Sequence, residues 1–156
     1  ARRNPDLVAS LTLLAPGGFG SEINHRLLRR YAAATDADTM ETLLEQFFGW
    51  EFKLPKFLAR TAAESRARPG AAATLEAIAD EIIDGSVQKT LPRDELAALP
   101  IPIKVLWGTQ DRVLPTRQAH KLPGVVATHI FERTGHMLHL ELPKEVTRLI
   151  LQNAGC

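Results

Sequence analysis

The chain has 156 residues, of which 45% are hydrophobic and 24% charged, and its formal net charge is +1. That balance fits one ordinary globular domain with a buried core and speaks against a disordered chain. Arginines are interspersed with acids, so neither nucleic acid nor an anionic membrane surface is implied as a partner, and with no run of ~20 apolar residues or signal-peptide pattern, no membrane span or export signal is expected.

In chain order, Val8 to Ala15 is a nearly continuous apolar run stopped by Pro16-Gly17-Gly18. It reads as a strand buried on both faces of a parallel sheet. Through residues 21–95 the apolar spacing is helical. Ile23, Leu27, Leu28 and Tyr31 suggest one helix, and Met40, Leu43, Leu44, Phe47 and Phe48 mark a second. Pro55 suits the first turn of a third, carrying Phe57 and Leu58, and Leu75, Ile78, Ala79, Ile82 and Ile83 outline a fourth. We read 21–95 as a helical cap without a convincing strand, inserted into a core made of 1–20 and 96–156. Ile101 to Gly108 and Val125 to Phe131 are two further strands, with a helical crossover expected near 116–122. Pro143 opens a last helix that should bury Val146, Leu149 and Ile150. Strands alternating with helices are the pattern of an α/β fold.

Two polar residues follow these later strands. Asp111 closes Trp107-Gly108-Thr109-Gln110-Asp111, and His136 follows Gly135, 25 residues later. Ligand and catalytic residues of open α/β sheets collect at the carboxyl ends of strands. A carboxylate there can orient an imidazole, which then takes a proton from a hydroxyl. Each residue also has a plainer reading: a turn or helix-capping aspartate, and a solvated loop histidine. His139, inside Met137-Leu138-His139-Leu140, reads as a helix-face or packing residue, and His25, His120 and His129 as surface or core residues. Asp111, His136, His139 and Glu141 are all metal-ligand types, but His-x-x-His-x-Glu lacks the i, i+4 spacing of a helical zinc pair, so no metal is expected. Gly17-Gly18-Phe19-Gly20 lacks the Gly-Lys-[Ser/Thr] ending of a phosphate loop. The single cysteine, Cys156, ends the sequence, which permits no internal disulfide and points to a reducing cytoplasm. A terminus that frays cannot hold a nucleophile in fixed geometry.

With these residues in place, the chain resembles the C-terminal portion of an α/β-hydrolase-fold protein. Leu11 to Pro16 is similar to the sixth strand of that fold, Val105 to Pro115 to the seventh strand with its acid turn, and Gly135-His136-Met137 to the histidine loop. Ala15 to Asn24 and Leu122-Pro123-Gly124-Val125 most resemble the hydrolase-like catalytic domain of dihydrolipoamide acetyltransferase components of acetoin dehydrogenase systems. The resemblance implies that Asp111 and His136 are the acid and base of a Ser-Asp-His triad. It implies acetyl transfer to dihydrolipoamide, with the lipoyl group carried on a separate domain and no cofactor bound by this chain. A carboxylesterase or carbon-carbon bond hydrolase shares the same turns, and a non-catalytic assembly module is a further reading.

No Gly-x-Ser-x-Gly occurs in the 156 residues. Ala1 to Asp6 resembles the end of the helix after the nucleophile elbow, so the resemblance implies a serine roughly a dozen residues before Ala1. Without it the chain cannot form an acyl-enzyme, and whether it is an enzyme on its own stays open. The substrate of the whole protein would be an acyl thioester or ester. A sixth strand without its neighbour exposes unpaired backbone groups, so self-association through that edge is expected. The aromatic residues Phe47, Phe48, Trp50, Phe52 and Phe57 read either as lining for an acyl pocket or as core.

Overall fold

Three aliphatic segments form a parallel sheet in a computed structural model that describes residues 1–155. Cys156, with the compartment and reactivity expectations attached to it, lies outside the described residues. Strand β4 (Ile103–Gly108) is central, with β1 (Leu11–Leu14) on one side and β5 (Val126–Phe131) on the other. Val105, Leu106 and Trp107 are fully buried, as a central strand covered on both faces must be.

β1 differs from the expectation. It is shorter, and all four of its residues are only half-buried. Among the described residues its outer edge pairs with no strand, and beside it runs a groove of about 1000 Å³ lined by Leu11, Leu13, Phe19, Leu96 and Leu99. Burial on both faces requires neighbours that this edge lacks. Asn153, on α6 (Pro143–Ala154), fastens the strand from behind by donating to the Leu11 carbonyl at 3.0 Å and the Thr12 hydroxyl at 2.9 Å.

Between β1 and β4 the chain builds four helices: α1 (His25–Ala33), α2 (Ala37–Leu44), α3 (Lys56–Arg66) and α4 (Ala71–Ile82). Local capping explains two of the starts. Asn24 accepts from the Leu27 amide and Asp36 from the Thr39 amide. Hydrogen bonds from Thr39 also hold the Asp36 carboxyl below its ordinary range. Met40, Leu43 and Leu44 of α2 are buried, and a 3-10 turn over Glu45–Phe47 carries the apolar face on to Phe47 and Phe48.

Three further expectations are corrected. The region 21–95 does contain strands: β2 (Ile83–Asp84) and β3 (Val87–Gln88) form a short antiparallel hairpin around Gly85, and Glu22 bridges to Val87. Two-residue strands are too short to show an alternating pattern. The crossover near 116–122 is only a 3-10 turn, Thr116–Ala119. Lys121 is left-handed at φ 56 and Pro123 disfavours helix before it, so no α-helix can propagate. In α6, Val146 and Leu149 are buried but Ile150 is exposed, because it lies on the rim of the helix's apolar stripe. A short helix α5 (Leu138–Glu141) precedes α6.

Candidate active site

Residue Asp111 stands in the turn that β4 opens into, and its side chain is fully buried. One carboxylate oxygen, Oδ1, accepts the backbone N–H groups of Val113 at 2.8 Å and Leu114 at 2.9 Å. This clamps the carboxylate in one orientation and directs Oδ2 away from the turn. Trp107 Nε1 donates to the Leu114 carbonyl and Thr116 Oγ1 to the Gly108 carbonyl, closing the turn from below. Asn24, at the entry to the cap, donates its backbone N–H to the Val113 carbonyl and its amide to the Arg112 carbonyl, both at 2.9 Å.

The second residue arrives from β5. Arg133 takes a left-handed conformation at φ 55, and Gly135 then lets the loop pass against the cap: a Cβ there would sit 2.4 Å from the Phe48 carbonyl carbon. His136 Nδ1 lies 2.9 Å from Asp111 Oδ2. An ionised carboxylate only accepts, so Nδ1 carries a proton, and in the neutral imidazole Nε2 is then the nitrogen with the lone pair. The His136 side chain is 21% exposed, and Nε2 has no hydrogen-bond partner among the described residues. What results is a fixed acid, an oriented imidazole and an open basic nitrogen. That arrangement can accept a proton from a nucleophile and return it to a leaving group.

The cap segment 45–50 closes over this pair. The Phe47 carbonyl accepts from the His136 and Met137 backbone N–H groups at 2.8 and 3.2 Å, and the Phe47 ring meets the imidazole edge-on, 6.1 Å between centroids. Arg112 donates to the Phe48 carbonyl at 2.9 Å and to that of Glu45, and its guanidinium lies 4.1 Å from the centre of the Trp50 ring. Burial pulls the Arg112 pKa down from its ordinary value, while Glu45 and Glu141 work in the opposite direction. Gln110 accepts from the Trp50 backbone N–H at 2.8 Å.

Of the sequence-expected residues, the structure brings Asp111 and His136 together and leaves His139 exposed on α5. Glu141 accepts backbone N–H groups rather than grouping with the histidines, and no cluster of three or more His, Cys, Asp or Glu side chains suited to a metal occurs among the described residues. The Gly18 N–H is spent on Gln88 Oε1 at 3.0 Å, so the Gly17–Gly20 loop offers it to no phosphate. The aromatic set divides: Phe47 and Phe48 are buried, Phe52 stacks on Phe48, and Trp50 (69% exposed) and Phe57 face outward. Arg112 and Gln110 were not singled out from the sequence. Their position beside Asp111 was visible, but their cap partners lie 60 or more residues away.

Residues 1–149 match the alpha/beta hydrolase family. The chain belongs to that family. Within it, the chain is similar to the dihydrolipoyllysine-residue acetyltransferase component of the acetoin cleaving system from two bacteria. Identity is 27% over 147 residues for Pseudomonas putida, covering 94% of this chain and 39% of that protein. For Cupriavidus necator it is 23% over 151 residues, covering 97% and 40%. Among solved alpha/beta hydrolases, a meta-cleavage product hydrolase from Pseudomonas fluorescens superposes with a TM-score of 0.80 at 19% identity, over 96% of this chain and 57% of that one. The chain is therefore a partial alpha/beta hydrolase domain, spanning about two fifths of the length of these curated relatives.

Proposed function

We propose that Asp111 and His136 are the acid and base of a serine-dependent acyl-transfer site, and that the nucleophile is contributed by sequence upstream of Ala1. The observation that carries this is the 2.9 Å contact between His136 Nδ1 and an Asp111 carboxylate whose other oxygen is held by two backbone amides. In the whole protein, His136 Nε2 takes the serine proton as the serine oxygen attacks the carbonyl carbon of an acyl thioester or ester. The carbon-sulfur or carbon-oxygen bond then breaks and the leaving group takes the proton. A dihydrolipoamide thiol, borne on a separate lipoyl domain, attacks the acyl-serine and returns a proton through Nε2 to the serine oxygen. Similarity to the two acetoin-system acetyltransferase components supports this acceptor. Water in place of the thiol makes the same site a hydrolase, a reading that the likeness to the meta-cleavage product hydrolase favours.

The coding sequence upstream of Ala1 tests the assignment. A Gly-x-Ser-x-Gly supports the enzyme, a replaced serine supports an assembly module, and a lysine-bearing lipoyl domain further upstream selects the acetyltransferase. The 156-residue chain on its own should show no burst with an activated ester; acyl label on any of its residues contradicts the proposal. The unpaired β1 edge leads us to expect self-association of that chain, and a monomer in sedimentation across micromolar concentrations counts against it.

A further inference from the structure

We infer that Glu141 is a positioning residue for His136, acting through the backbone amides of Gly135 and Gly49; the inference rests on the reading of Asp111 and His136 as an acid-base pair. Glu141 ends α5 and its carboxylate turns back toward the histidine loop. Oε1 and Oε2 accept the Gly135 N–H at 2.9 and 3.1 Å, and Oε2 also accepts the Gly49 N–H at 2.9 Å. Two amides from segments far apart in sequence thus converge on one anion.

The convergence is forced by how closely the two segments approach. A Cβ at Gly135 would lie 2.5 Å from the Gly49 nitrogen, and one at Gly49 would lie 2.5 Å from the Arg133 carbonyl oxygen and 3.0 Å from Glu141 Oε2. With two backbones in contact, both N–H groups point into a part-buried seam that needs an acceptor, and a carboxylate bonds two donors more strongly than a neutral oxygen does.

The consequence reaches the imidazole through a short path. The Gly135 N–H is fixed by Glu141 and the His136 N–H by the Phe47 carbonyl, so consecutive amides leading into the histidine are both anchored. Only the two side-chain torsions of His136 then remain, and Asp111 Oδ2 sets those. The Gly135 N–H belongs to the Thr134–Gly135 peptide, which the Gln110 N–H also holds at the Thr134 carbonyl, 2.9 Å away; releasing Glu141 leaves that peptide with one anchor, so it can tilt, shift Gly135 and draw Nδ1 from the carboxylate. Among the described residues Glu141 hydrogen-bonds to neither the imidazole nor Asp111, so its effect on the pair is indirect.

The low-field Nδ1 proton of His136, observed by nuclear magnetic resonance above the ordinary imidazole pKa, reads the effect directly in the 156-residue chain. We expect this resonance in the parent and its loss in Glu141→Leu, with circular dichroism showing the variant folded at the temperature used. Glu141→Asp keeps the charge but withdraws it by one methylene, and should lose the resonance too. Glu141→Gln keeps length and an acceptor oxygen, and should restore it. A purely structural role would lower the melting temperature of these variants without moving the resonance. If Glu141→Leu does not fold, Glu141→Asp decides. Survival of the resonance in Glu141→Asp overturns the inference. Asp111→Asn separates the two levels of the argument: it should abolish the resonance, and if it does not, the acid-base pair itself is wrong.

Discussion

The seam around His136 and the outer face of the cap are built from the same chain by opposite means. At the seam, segment 45–50 is held to the acid turn and histidine loop by hydrogen bonds that it donates to Gln110 and Glu141 and accepts from Arg112 and His136. On the outer cap, α4 leaves Ile78 at 52% and Ile82 at 42% exposure, and Arg29 and Lys89 make only solvent-facing ion pairs, with Asp80 and Glu81. Position-specific polar contacts fix the seam, whereas generic helix packing serves the outer cap. Sensitivity to substitution should follow that division.

Glycines show the contrast most sharply. A Cβ at Gly108 would fall 2.1 Å from the Thr134 carbonyl oxygen and 2.4 Å from that of Gly135, backbone atoms that cannot rotate away. Gly108→Ala should therefore destabilise by roughly 3 kcal/mol, the upper range for overpacking. Gly70, at the start of α4, has open space around it and a φ of +77, so Gly70→Ala should cost only about 1 kcal/mol for the left-handed conformation. Urea denaturation of the pair checks the ranking, and equal losses would erase the distinction between seam and cap.

Arg112→Ala comes next. It removes donations to the Phe48 and Glu45 carbonyls and the contact with Trp50, a loss of about 2 kcal/mol. It should also speed amide hydrogen exchange across 45–50 ahead of α4; uniform acceleration would contradict a locally held seam. Ile78→Lys, on the outer cap, should stay within about 0.5 kcal/mol of the parent by the same denaturation assay.

The smallest effect concerns pH. Burial, with Lys104 and Arg148 nearby, lowers the pKa of His129 below its ordinary value. The folded state therefore binds fewer protons than the unfolded state once pH falls below the ordinary imidazole pKa. Stability from this group is present above that value and is lost as pH drops through the lowered one. His129→Gln should flatten that acid limb in thermal melts, and an unchanged slope would exclude His129 as its source.

Much of this was legible in the sequence, for identifiable reasons. Val105-Leu106-Trp107 read as a buried strand because a continuous apolar run followed by a polar turn has few other uses; its central place in the sheet came from the structure. Asp111 and His136 were visible because both stand at strand ends, where short, local turns set side-chain direction. The partners that hold them there were not visible. Phe47 contributes a backbone carbonyl, which any residue would supply, and Glu141 binds backbone amides that leave no side-chain signature. The crossover expected near 116–122 from segment length is a 3-10 turn because Lys121 and Pro123 stop helix propagation, and the two-residue strands of the hairpin are too short to register. For β1, apolar composition suggested full burial, but burial also depends on neighbours, and among the described residues its outer edge pairs with no strand.

The most direct test of the central claim is fluorophosphonate labelling of the protein extended upstream to include the proposed nucleophile, compared with its Asp111→Asn variant. If Asp111 holds His136 as the base, the parent labels rapidly and the variant about four orders of magnitude more slowly with its fold unchanged. Equal labelling rates would contradict the account.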